Sequence, residues 1–289
     1  VTAPAVKYRL RHRTTYAYVE AVDLATHMLH LSPRQTDRQR VLAAEILCEP
    51  APSTRTVAAD HYGNLVTWLF LERSHTRLEL VLNALVEVSA TAPAGPAGIA
   101  WESVHDMAPW DVAEFVFDSA LAPASAAARD YAAPSFPPGR DAFDAVRELT
   151  ARIRRDFAFK PGVTSVSTPV AQVLTLKAGV CQDFAHVMIA GLRAHGVPAR
   201  YVSGYIRTRP RPGEEKRRGS DVSHAWVAAW LGAGLGWVEF DPTNDLVVAS
   251  DHVVLGHGRD YADISPVRGV LLGGRRHAVT VGVDLEPAE

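Results

Sequence analysis

Three residues stand in local settings that suit nucleophilic catalysis. Cys181 lies in Gly179-Val180-Cys181-Gln182-Asp183-Phe184-Ala185-His186, His224 in Ser223-His224-Ala225-Trp226-Val227, and Asp241 in Trp237-Val238-Glu239-Phe240-Asp241-Pro242-Thr243. A thiol becomes a strong nucleophile when a neighbouring imidazole takes its proton. The imidazole in turn needs a third group to fix its tautomer and orientation. All three residue types occur in that order within 61 positions, 181 to 241 inclusive.

The elements that must position them can be read from pattern. The glycine before Cys181 and the helical text after it predict a helix over about 181–194, closed by His195-Gly196-Val197-Pro198. Cys181 then falls in the first turn, where backbone N–H groups lack intrahelical partners and the helix dipole favours negative charge. Both effects favour a thiolate, and the free N–H groups could hold an oxyanion. His224 opens a strand over 224–231 and Asp241 closes one that begins at Trp237, with Gly232-Ala233-Gly234-Leu235-Gly236 as the turn between them. That is a hairpin, and a separation of 17 positions makes histidine and aspartate cross-strand neighbours. Gln182 is a candidate oxyanion or hydrogen-bonding group, and Trp226 a pocket wall. His186 lies more than one helical turn from Cys181 and reads as core packing, while Asp183 reads as favouring the helix start. Taken singly, His224 could be an ordinary core histidine and Asp241 a turn former before Pro242.

The chain has 289 residues, 47% hydrophobic and 21% charged, with a formal net charge of −2. Nothing here marks disorder, and no global basic field points to nucleic acid. Apolar runs fall short of a membrane span and no signal peptide is visible, so a cytoplasmic location is expected. The two cysteines, Cys48 and Cys181, give neither a disulfide framework nor a Cys-x-x-Cys pair. Cys48 sits in an alternating stretch and reads as a small buried hydrophobe. No histidine pair has helical zinc-ligand spacing with a glutamate beside it, so neither metal nor cofactor is expected.

Short alternating segments at Tyr8–Tyr18, Val41–Cys48, Leu65–Leu71 and Arg77–Ser89, with a turn at Asp60-His61-Tyr62-Gly63-Asn64, predict a sandwich-like β domain over 1–95. A helical and loop connector follows over 96–140, then a core over 141–289 with a β extension at its C-terminal end. Asp141–Phe157 reads as an amphipathic helix and Pro169–Leu176 as a short one. The segment Arg207–Asp221, which includes Lys216-Arg217-Arg218, reads as a surface loop bordering the cleft.

Taken together, the segments around Cys181, His224 and Asp241, with Gly196-Val197-Pro198-Ala199-Arg200-Tyr201-Val202-Ser203-Gly204-Tyr205, resemble the core of the transglutaminase-like superfamily. They are most similar to a bacterial branch assigned to the cysteine proteases. Tyr8–Tyr18, Leu31-Ser32-Pro33-Arg34 and Asp60–Asn64 resemble the N-terminal domain of that branch, and His257–Val270 the segment after its core. The resemblance implies an α+β, papain-like core, a helix packed on an antiparallel sheet, with Cys181 as nucleophile, His224 as general acid–base and Asp241 as orienting group. The implied activity is acyl transfer on a peptide, protein or amide, with hydrolysis favoured over transfer to an amine. A reading of another class is a binding or scaffolding module with a vestigial triad; the intact set of three residues argues against it.

Overall fold

A computed structural model of the chain describes residues 5–89, 95–208 and 223–288. The predicted loop at Arg207–Asp221, with its basic run, lies almost wholly outside these residues. The first five strands are β1 (Val6–Leu29), β2 (Gln39–Glu49), β3 (Thr54–Ala59), β4 (Leu65–Leu71) and β5 (His75–Val88). β1 is much longer than its sequence signature and organises the domain. Its first half, from Tyr8 to Ala17, pairs with β5 on one side, and its second half, from Ala25 to Leu29, pairs with β4. The pairing shifts register between Ala17 and Val22, where β1 passes from one half of the sheet to the other. Tyr8, Leu10, Leu29, Leu69, Leu71, Leu78, Leu80 and Leu82 fill the core between them.

The last two strands, β13 (Val267–Gly273) and β14 (His277–Pro287), also pair with β1, completing a seven-stranded sheet. These two strands fall in the β extension expected at the C-terminal end of the core; their hydrogen bonds join the two ends of the chain, a long-range pairing that local pattern does not encode.

The connector is helical only in short pieces: α1 (Val104–Met107), α2 (Trp110–Ala113) and α3 (Ala126–Ala132). Pro109 and Pro123 fall between them, and proline cannot continue a helix. α4 (Ala142–Asp156) starts where Asp141 accepts hydrogen bonds from the N–H groups of Phe143 and Asp144. The two-residue strand β6 (Ala158–Phe159), α5 (Val170–Leu176) and β7 (Ala178–Gly179) lead into α6 (Cys181–Ala194). β6 and β7 pair in parallel. α6 packs on β8 (Ala199–Ile206) and β9 (Ser223–Trp230). Phe184, Val187, Met188, Ile189 and Leu192 of α6 are buried, each contributing roughly 1.5–3 kcal/mol of hydrophobic stabilisation. The remaining strands are β10 (Trp237–Asp241), β11 (Leu246–Val247) and β12 (His252–Gly258), and the core sheet runs β11-β10-β9-β8-β12, antiparallel throughout.

Two contacts fix this core. Gly204 on β8 lies opposite His224, and a Cβ there would collide with the Val253 carbonyl and come within 2.6 Å of the Trp226 ring. The bare position lets Trp226 lie against the strand. At the far end of α6, the buried Arg193 donates to the carbonyls of Phe115, Ala122, Ala199 and Arg259 and to the Ser119 hydroxyl, at 2.7–3.0 Å. One side chain thereby ties the connector, β8 and the loop after β12 to the helix that carries Cys181.

Replacing Arg193 with Met should therefore destabilise the protein by about 3 kcal/mol or more, because it leaves several buried carbonyls without donors. Urea unfolding followed by circular dichroism measures this. A loss below about 1 kcal/mol would mean that water replaces the guanidinium without difficulty.

Candidate active site

Cys181 is the first residue of α6, and the chain is bent sharply to put it there. Lys177 ends α5 in the left-handed region at φ 49°. Two residues later, Gly179 packs so closely on Asp183 that a Cβ would lie 2.5 Å from its carboxylate oxygen. Asp183 Oδ2 accepts the Val180 N–H at 2.8 Å and the Thr164 hydroxyl at 2.7 Å. This carboxylate satisfies one donor at the helix start and pins the loop before α5 to it. Asp183 thus supports the helix start, as its position suggested.

His224 is the second residue of β9, and Asp241 the last of β10. The register pairs Phe240 with Val227 and so sets Asp241 opposite Trp226, one diagonal step from His224 on the same face. His224 Nε2 donates to Asp241 Oδ2 at 2.7 Å. The expected cross-strand meeting of these two residues is present. The Cys181 thiol is near enough to add to the electrostatic environment of the imidazole.

Both members of the pair are buried: Asp241 is 0% exposed and His224 6%. Burial alone would push the imidazole pKa down, but the hydrogen bonds to Asp241 and Cys181 outweigh it and raise the value to about 10. Burial likewise opposes ionisation of Asp241. Hydrogen bonds from His224 and His252 overcome that and hold the carboxyl well below its usual range.

Two donors to Asp241 were not singled out from the sequence. His252, the first residue of β12, donates from Nε2 to Oδ2 at 3.1 Å, and Asn244 Nδ2 donates to the same oxygen at 2.7 Å. Oδ1 accepts the backbone N–H groups of Thr243 at 2.9 Å and Asn244 at 3.2 Å. The Asp-Pro-Thr-Asn sequence could have announced the turn bonds, since aspartate commonly caps the N–H two residues on. His252 gives only a faint signal, a lone histidine at the head of the apolar run Val253-Val254-Leu255.

Trp226 is fully buried and stacks beside His224, with ring centroids 5.9 Å apart and planes at 27°. Its indole N–H donates to Glu239 Oε2 at 2.9 Å, and Arg38, in the bend just before β2, donates to the same oxygen at 3.2 Å. It is a wall behind the imidazole. Gln182 spends its amide N–H on the Val166 carbonyl at 3.0 Å, which ties the loop before α5 to the helix. His186 is buried and accepts the Tyr261 N–H at 3.2 Å, and burial pushes its pKa down to about 4. That is the core role expected of it. Cys48 lies in β2, where burial pushes its pKa up to about 11.

Among the described residues, His224, Asp241 and His252 bring three donor atoms within 4.8 Å of one another, a spacing a divalent ion could use. At 2.7 and 3.1 Å, however, both contacts are ordinary hydrogen bonds, and an ion would have to displace both ring protons.

A mixed α/β protein with a cysteine at a helix start, beside a buried histidine–aspartate pair on an antiparallel sheet, defines a recognisable class. Residues 129–242 match the transglutaminase-like superfamily, and residues 8–87 match the bacterial transglutaminase-like N-terminal region. An uncharacterized protein of Mycobacterium tuberculosis is 40% identical over 293 residues, covering 98% of this chain and 93% of that protein. One from Mycobacterium leprae is 33% identical over 276 residues, covering 92% of this chain and 94% of its own. A protein-glutamine gamma-glutamyltransferase of Pseudomonas aeruginosa is 32% identical over 93 residues, covering 30% of this chain and 13% of the transferase. The crystal structure of "a Putative Cysteine Protease from Cytophaga hutchinsonii" superposes with a TM-score of 0.82 at 23% identity, covering all of this chain and 93% of that one. The chain belongs to the transglutaminase-like superfamily, in the bacterial branch that carries this N-terminal region.

The two pKa shifts define a pH window for the stability contributed by the His224–Asp241 pair. The histidine value is raised, so its contribution is full below 6.5 and is lost as pH rises towards about 10. The aspartate value is depressed, so its contribution is present above 3.8 and is lost as pH falls below that. The Tm difference between wild type and the double variant His224→Gln, Asp241→Asn should therefore be most favourable to wild type between about pH 4 and 6.5, and decline on both sides. A difference that is flat from pH 3 to 10 would show that the pair is not ionic.

Proposed function

We propose that the protein is a cysteine-dependent acyl-transfer enzyme that uses Cys181, His224 and Asp241 as a triad. The observation that carries this reading is the buried His224–Asp241 hydrogen bond beside a thiol at a helix start. Asp241 holds His224 by Nε2, which leaves the other ring nitrogen for the sulfur. The Cys181 thiolate attacks a carboxamide or peptide carbonyl carbon, and the oxyanion forms against the first backbone N–H groups of α6, that of Cys181 foremost. As the carbon–nitrogen bond breaks, the imidazolium of His224 gives its proton to the departing amine, leaving a thioester. His224 then takes a proton from the incoming water, the thioester breaks, and a carboxylic acid leaves. The site needs no cofactor for these steps.

Hydrolysis is the favoured outcome. Cys181 is partly exposed, so water reaches the thioester, whereas transfer to an amine requires a site that excludes water. The gamma-glutamyltransferase relative supports transfer as the second reading, through the same thioester with a primary amine as acceptor.

Cys181→Ala should abolish turnover of any responsive peptide or amide substrate with the circular dichroism spectrum unchanged. His224→Ala should lower kcat/KM on the order of 10³-fold or more, and Asp241→Asn by less, because the carboxylate only orients and stabilises the imidazolium. Screening a peptide and amide library for released amine, with and without a labelled primary amine, separates hydrolysis from transfer. A folded Cys181→Ala protein with near-normal activity would refute the mechanism.

A second check needs no substrate. Burial pushes the Cys48 pKa up to about 11, so its thiol stays protonated at pH 7. Iodoacetamide should therefore label Cys181 well before Cys48, as read by peptide mass mapping. Equal rates would favour a binding module with an idle triad.

A further inference from the structure

We infer that His252 is a positioning residue of the active site, which holds the Asp241 carboxylate in the one rotation that serves His224. The inference rests on the proposed triad and extends it to a fourth side chain.

The geometry is specific. Asp241 Oδ2 accepts three side-chain N–H groups: His224 Nε2 at 2.7 Å, Asn244 Nδ2 at 2.7 Å and His252 Nε2 at 3.1 Å. Asn244 comes from the turn directly after Asp241 and moves with it. His252 comes from β12, which lies beyond β8 in the sheet and reaches Asp241 independently of the hairpin. It is therefore the one side chain of the three, apart from His224 itself, that fixes the carboxylate against a separate element. Without it, the oxygen facing His224 is held only by groups on its own turn, and rotation about the side-chain bonds can carry it out of line.

Packing alone does not account for a histidine here. His252 is 3% exposed and heads a fully buried strand whose next three residues are Val253, Val254 and Leu255. Its Nδ1 is buried without a hydrogen-bond partner, a cost that an apolar side chain would avoid. The ring sits edge-on to Trp226 at 5.0 Å, the same indole that stacks beside His224. One tryptophan thus orients both imidazoles towards one carboxylate oxygen. The His252 ring also lies 5.9 Å from the His224 ring, but its one hydrogen bond is to the carboxylate, so it bears on the chemistry as a positioning group.

The backbone that carries His252 is also clamped. The Gln39 side chain takes both the N–H and the carbonyl of Val254, at 2.8 and 2.7 Å, and the Arg34 N–H reaches the same carbonyl at 3.0 Å. The placement of His252 is therefore set by the N-terminal sheet.

The test compares His252→Leu, His252→Gln and His252→Asn on a substrate found with the wild-type enzyme. Glutamine can set an N–H where histidine Nε2 lies; asparagine is too short, and leucine has no donor. The expected result is a kcat lowered on the order of 10²-fold for Leu and Asn, with KM within about twofold of wild type and Gln within a few-fold in kcat. Iodoacetamide inactivation of Cys181 should follow the same order. If His252→Leu fails to fold, the comparison of Gln with Asn, both checked by thermal unfolding, decides the matter. Wild-type kcat in all variants would overturn the inference, as would equal losses in Gln and Asn. Failure of the triad itself would show separately, as activity surviving in Cys181→Ala.

Discussion

Everything at this site depends on keeping one carboxylate ionised where water cannot reach it. Burying an unpaired charge is costly enough that the group would otherwise take up a proton. Asp241 avoids this by collecting donors from its own turn, from β9 and from β12, so that both oxygens are occupied. The ionised carboxylate then holds the His224 ring by Nε2. The charge and its donors need one another: removing either leaves a buried polar group without a partner.

The N-terminal sheet finds its role in this requirement. β12 is the edge strand of the core sheet, and an exposed edge leaves backbone groups unpaired. Two side-chain amides close it. Gln39 pairs with Val254, and Asn64 pairs with both the N–H and the carbonyl of His257, at 2.9 and 2.8 Å. Asn64 belongs to the Asp60–Asn64 turn, and Asp60 in turn accepts its side-chain N–H at 2.7 Å. β13 and β14 return the chain from the core to pair with β1 in the N-terminal sheet. The sheet does not supply a reacting group. It holds the strand that carries His252.

α6 meets its own version of the same demand. The helix start must be open enough to present Cys181 yet rigid enough to aim it. Asp183 takes the first donor and Gly179 makes room for that contact. Arg193, about three turns further on, locks the helix to the connector and to β8. The thiol is thus placed from both ends of its helix, and the imidazole from both sides of its sheet.

The sequence by itself determined the elements around the chemistry. The glycine and helical text at 179–194, the glycine-rich turn at 232–236 and the alternation through 65–71 are local signals, and local backbone preferences act on them directly. They were enough to put Cys181 at a helix start and to bring His224 and Asp241 together across a hairpin, because a hairpin register follows from its turn. Only the tertiary structure decided what completes the site. His252 reaches Asp241 across two intervening strands, Gln39 and Asn64 close an edge about two hundred positions away, and β14 pairs with the opposite end of the chain. Such contacts are set by how whole sheets pack, and a lone histidine ahead of an apolar run looks the same in sequence whether it fills a core or steadies a carboxylate.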